Sequence, residues 1–109
     1  MFIVTHTSWS DEENDTTTKV ELFYKVEDAM AYYDLIKFTI IDEYECYTGR
    51  TIEQLIESNE DIDYEYFYCS ETEIEPYLDL GLKQIYYIRY DDYGSDTLTV
   101  EKKEVLSFN

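Results

Sequence analysis

Thirteen carboxylates and one cation lie between Asp42 and Leu82. The acids are Asp42, Glu43, Glu45, Glu53, Glu57, Glu60, Asp61, Asp63, Glu65, Glu71, Glu73, Glu75 and Asp79; the cation is Arg50. This segment holds −12 of the chain's formal −18. Carboxylates at such density can hold hard cations, pair as acid and base, or imitate the phosphates of a nucleic acid. Each use demands more than acidity. A calcium loop needs a fixed order of ligands and a distant bidentate glutamate. The run Asp91-Asp92-Tyr93-Gly94-Ser95-Asp96 lacks that order and reads as a solvated hairpin turn. A glycosidase pair needs two carboxyls at a set separation across a cleft, and spacing in sequence does not specify one among 26 acids.

Other chemistry is poorly supplied. His6 is the single histidine, and no nucleophile is placed beside it by sequence. It is expected to be structural, and the chain is expected not to be an enzyme. Three isolated glycines, Gly49, Gly81 and Gly94, cannot form a phosphate loop. One histidine and two distant cysteines, Cys46 and Cys69, do not make a zinc site. The thiols have no CxxC spacing and are expected to be reduced core residues. No cofactor or metal is called for.

The acidic segment must ride on a folded scaffold. Hydrophobic residues make up 44% and aromatic residues 17%, which argues against disorder despite the charge. The length, 109 residues, fits one domain. Met1-Phe2-Ile3-Val4-Thr5-His6 reads as a strand, without the basic and apolar regions of a signal peptide. No apolar stretch approaches the roughly 20 residues of a membrane span, and anionic lipid would repel the chain. A cytoplasmic location follows as the expectation.

Period-two alternation predicts strands over Phe2–Ser8 and Thr18–Lys25, joined across a polar loop from Trp9 to Thr17. From Val26 to about Tyr44 the period becomes helical. Val26, Ala29, Met30, Tyr33, Ile36, Ile40, Ile41 and Tyr44 form the apolar stripe, with Lys37 as a polar intruder, over roughly 16 residues. Thr51 and Gln54 have capping-box spacing, which predicts a short helix to Ser58 burying Ile52, Leu55 and Ile56. Tyr64–Cys69 reads as a third strand. Glu71 to Leu80 is ambiguous, with a helical turn from Pro76 to Gly81 as the better reading. Leu82–Tyr90 and Thr97–Glu104 read as the last two strands, the latter reaching toward Phe108. The expected fold class is α+β: a mostly antiparallel sheet of about five strands with two to three short helices on one face.

Eight basic residues against 26 acidic ones disfavour direct nucleic-acid binding by this chain. The sign suits a basic protein surface instead. Duplex DNA carries one charge per roughly 1.7 Å, so spaced carboxylates can fill a groove built for it. Tyrosines add rigid contact area at such an interface. The candidate partner-binding residues are Glu53, Glu57, Asp61, Asp63, Glu65, Glu71 and Glu73, with Tyr64, Tyr66 and Tyr68 as anchors. In charge density, length and Tyr/Asp/Glu richness the middle segment resembles small acidic DNA-mimic inhibitors, such as phage anti-restriction and anti-CRISPR proteins. That resemblance implies an inhibitor that occludes the basic surface of a nucleic-acid-processing or defence protein. The alternative is a neutralising partner of antitoxin or immunity type, or an assembly subunit, binding mainly through an aromatic hydrophobic face. Neither reading specifies the target or the oligomeric state.

Overall fold

The computed structural model describes residues 1–10, 14–58, 67–74, 83–90 and 93–102. Five strands and two helices appear in the order β1 (Phe2–Ser10), β2 (Asp15–Phe23), α1 (Val26–Thr48), α2 (Ile52–Ser58), β3 (Phe67–Ile74), β4 (Lys83–Tyr90) and β5 (Gly94–Lys102). The strands form one sheet in the order β2-β1-β5-β4-β3, and every described pair is antiparallel. The class is α+β. The central pair is β1 with β5, running in register from Phe2↔Lys102 to Ser10↔Gly94.

Alternation along the strands sorts the sheet into two faces. Val4, Tyr86, Ile88, Tyr90, Leu98, Val100 and Phe67 are buried against Ala29, Tyr33, Ile40 and Tyr44 of α1 and Leu55 of α2. Ile3, Thr5, Thr7 and Trp9 point the other way, as do Thr16, Thr18, Val20 and Leu22 of β2. The Thr7–Thr18 hydroxyl contact and the Tyr68–Tyr87 ring contact lie on this second face.

Several boundaries differ from those read in the sequence. The first hairpin ladder runs to Ser10↔Asp15, so Trp9, Ser10 and Asp15–Thr17 are strand rather than loop. β2 ends at Phe23 because the chain turns into the helix, where the Lys25 carbonyl accepts the Ala29 N–H. α1 is 23 residues rather than about 16. Burial of Ile40 and Tyr44 outweighs the low helix propensity of its β-branched segment. Gly49 stops it in the left-handed conformation at φ 68°. α2 has the expected reciprocal cap: Gln54 N–H donates to Thr51 Oγ1 (3.2 Å) and Thr51 N–H donates to Gln54 Oε1 (3.0 Å). Leu55 is buried as expected, but Ile56 is exposed. β3 continues through Glu71 to Ile74, because β4 offers it an unbroken ladder to Lys83. Residues 11–13, the segment read as a turn from Pro76 to Gly81, residues 91–92 and those after Lys102 lie outside the described residues.

Lys37, the polar residue on the helix stripe, is explained by its partners. Its Nζ donates to Glu71 Oε1 at 2.8 Å and sits 5.3 Å from the centre of the Tyr86 ring. Both cysteines are free thiols; the Cys69 Sγ donates to the Tyr86 hydroxyl at 3.2 Å. Among the described residues no helix is long and apolar enough to cross a membrane.

Gly94 opens β5 at φ 146°, and a Cβ there would lie 2.0 Å from the Trp9 carbonyl oxygen. Gly94→Ala is therefore expected to destabilise the fold, by about 1–3 kcal/mol from backbone strain alone. Denaturant titration checks this as a lowered midpoint. The buried tyrosines generate a second expectation. Burial, reinforced by neighbouring carboxylates, raises the phenols of Tyr33 and Tyr44 far above the usual range, and burial with the Cys69 contact does so for Tyr86. A raised folded pKa contributes stability that is complete below the unfolded value of about 10 and is lost as pH rises above it. The chain should unfold at alkaline pH, with these three phenols ionising together with the loss of helical signal.

Candidate functional site

Two clusters of functional side chains emerge, one on the outer surface of the helical layer and one beneath it. The outer cluster begins with α1. Turning Ala29, Tyr33, Ile40 and Tyr44 to the sheet leaves Leu35 and Phe38 on the far side of the helix, 61% and 67% exposed. Leu35 and Phe38 line a shallow groove with Thr39, Ile41, Asp42 and Glu45. Asp34, Asp42 and Glu43 are exposed on the same helix. At its far end Glu45 turns inward: its Oε2 accepts the Ile52 N–H at 2.9 Å and so caps α2. Arg50 N–H donates to Thr48 Oγ1, tightening the connection. The exposed Glu53 and Glu57 of α2 are thereby held at a fixed place relative to the groove.

The inner cluster centres on Asp96, which is 5% exposed. His6 Nε2 lies 2.7 Å from Asp96 Oδ1, and the Tyr44 hydroxyl donates to Oδ2 at 2.9 Å. Asp96 was expected in a solvated turn. The ladder instead begins at Gly94, which turns Asp96 inward beside Leu98 and Val100. His6, Ser8, Thr17, Lys19 and Glu43 border a small polar cleft above this carboxylate. Tyr93 packs edge-on against Tyr44 at 4.8 Å, and burial with the nearby charge of Glu43 raises its phenol. No group of described residues is arranged to hold a metal ion.

The residues singled out by sequence fall in different places. Glu53 and Glu57 share the exposed side of α2. Glu71 lies on the helix-facing side of β3 and is engaged within the fold: Tyr33 donates to its Oε2 at 2.9 Å and Lys37 to its Oε1. Burial would raise this carboxyl, but the hydrogen bonds from Lys37 and Tyr33 outweigh it and hold it below the usual carboxylate range. Tyr68 is exposed on the opposite face of the sheet, its ring 5.8 Å from that of Tyr87. Glu73 lies in β3, paired in register with Gln84. Asp61, Asp63, Tyr64, Glu65 and Tyr66 lie outside the described residues. The sequence reading missed Leu35 and Phe38. Their signal was apolar character off the core stripe of an otherwise amphipathic helix.

Asp96→Ala would leave the Tyr44 hydroxyl and His6 without their acceptor. Each unsatisfied buried donor costs about 1–3 kcal/mol, so a clear drop in denaturant midpoint is expected, smaller for Asp96→Asn. Glu71→Gln tests the pH dependence of the second pair. A lowered folded pKa contributes stability present above the unfolded value of about 4.3 and lost as pH falls through the folded value. The variant should be less stable than the parent at neutral pH, and the difference should shrink below about pH 4.

Comparison with protein-family models, with curated proteins and with solved structures found no match to this chain.

Proposed function

We propose that this chain is a binding protein that docks against a basic protein surface through its helical layer and occludes it, in the manner of acidic inhibitors that imitate nucleic acid. The observation that carries the reading is the outer side of α1, where exposed Phe38 and Leu35 share the helix surface with exposed Asp34 and Asp42, while α2 adds the exposed carboxylates Glu53 and Glu57. Apolar anchors beside carboxylates of one sign suit an interface with a cationic partner. The long-range field steers the encounter and the anchors hold it. A nucleic-acid-processing or defence protein offers such a cationic groove. Asp61, Asp63 and Glu65 follow α2 in the chain and extend the acidic run.

A second reading has its own observation. Phe38 and Leu35 are among the more exposed large apolar residues, which also suits a neutralising partner or assembly subunit held chiefly by hydrophobic burial. Salt separates the two. Binding by charge weakens steeply as salt rises, and burial of Phe38 does not.

The test is capture of partners from a lysate of the source cell at low and high salt, followed by association kinetics with the purified partner. Reversal of Asp34, Asp42, Glu53 and Glu57 to Lys should slow association by about tenfold or more at low salt and flatten the salt dependence. Phe38→Ala should instead raise the off-rate, by about 2 kcal/mol if the ring is fully buried at the contact. A partner without a basic surface, or an on-rate unchanged by the four reversals, would overturn the charge reading.

A further inference from the structure

We infer that β2 is a self-complementary edge and pairs with β2 of a second copy of this chain, extending the sheet across a two-fold axis. Among the described residues β2 lies at the end of the sheet, and eight of its nine residues are exposed. Its ladder with β1 is continuous from Phe2↔Phe23 to Ser10↔Asp15, without a bulge, and it contains neither proline nor glycine. Such an edge presents unpaired N–H and C=O groups along its length and is a template for a further strand. Val20 and Leu22 are 55% and 57% exposed, and Tyr24, just beyond, is also exposed.

A lysine on an edge strand ordinarily blocks pairing, because in a second strand it would meet a like charge or an apolar side chain. Here the charges answer one another. Within β2 the charged residues are Asp15, Lys19 and Glu21. Lys19 and Glu21 flank Val20 with opposite signs. In an antiparallel pair centred on Val20, Lys19 stands opposite Glu21 of the second copy and Glu21 opposite its Lys19. Val20 meets Val20, and Leu22 meets Thr18.

A two-fold axis perpendicular to the sheet keeps residues of one face together, so only centres on a residue are allowed. The neighbouring centres are all unfavourable. Lys19 or Glu21 as centre sets that charge against itself; Thr18 sets Asp15 against Glu21; Leu22 sets Glu21 against the apolar Phe23 and leaves Lys19 with no strand residue opposite. Like charges directly opposite destabilise a strand pair and opposite charges stabilise it. Among these centres Val20 alone joins opposite charges, and it does so over a longer ladder than Thr17, which would set Asp15 against Lys19; the pattern therefore favours a second copy paired about Val20.

The test is sedimentation of the purified full chain from micromolar to submillimolar concentration, near physiological ionic strength, where charges more than roughly 8 Å apart are largely screened. The parent should form a dimer. Lys19→Glu and Glu21→Lys should each weaken it, by roughly tenfold or more, because two attractive pairs become repulsive. Mixing the two variants should regain a dimer, since all charges at the seam are then matched, and Lys19→Glu/Glu21→Lys in one chain should also regain it. Circular dichroism confirms that each variant is folded. A parent that stays monomeric overturns the inference, as does a dimer that survives either single reversal, or single variants that do not recover on mixing.

Discussion

The Asp96 carboxylate, almost fully buried on the central strand β5, receives the Tyr44 hydroxyl from α1 and meets His6 on β1. Three elements far apart in sequence meet at its two oxygens. A charge taken out of water is costly unless hydrogen bonds replace its hydration, so each partner is constrained by the others. Tyr44 is the last deeply buried side chain of α1, and its bond to Asp96 fixes how the end of the helix lies on the sheet. The opposite faces of the helix follow from that placement. With Tyr33, Ile40 and Tyr44 turned inward, Leu35 and Phe38 are turned out.

Tyrosine replaces much of the aliphatic material that a core of this size would ordinarily hold. Tyr33, Tyr44 and Tyr86 are buried, and each hydroxyl is bonded within the fold: Tyr33 to Glu71, Tyr44 to Asp96, and Tyr86 with Cys69. No buried side-chain polar atom among the described residues lacks a partner. A satisfied phenol is buried at little cost while its ring contributes apolar area. Part of the acid content serves this core. Glu71, Asp96 and the α2-capping Glu45 are acceptors inside the fold, while Asp34, Asp42, Glu53 and Glu57 remain exposed.

The inferred edge pairing and the proposed docking surface are compatible. An axis perpendicular to the sheet leaves both helical layers on one side of a continuous sheet. Two acidic surfaces would then face the same direction, and a partner with repeated basic sites could engage both, gaining avidity without a new contact.

Periodicity carried most of the fold. Alternation in β1, β2, β4 and β5, the apolar stripe of α1, the Thr51/Gln54 cap and the Gly49 stop are local patterns, and local sequence determines them. Their ends were less legible, since ladders extend as far as a neighbouring strand offers partners. Asp15–Thr17 and Ser70–Ile74 became strand for that reason. The acidity and its sign were also plain in the sequence, and with them the class of partner proposed. Which carboxylates face a partner was not. Glu71 and Tyr68 are three residues apart on one strand, yet the pleat sends one into an internal pair and the other to the opposite face. Asp96 read as a turn residue because its acceptor role depends on His6 and Tyr44, 90 and 52 positions away in the chain. Only the tertiary structure brings such groups within hydrogen-bonding distance, and only it separates the acids that build the core from those left on the surface.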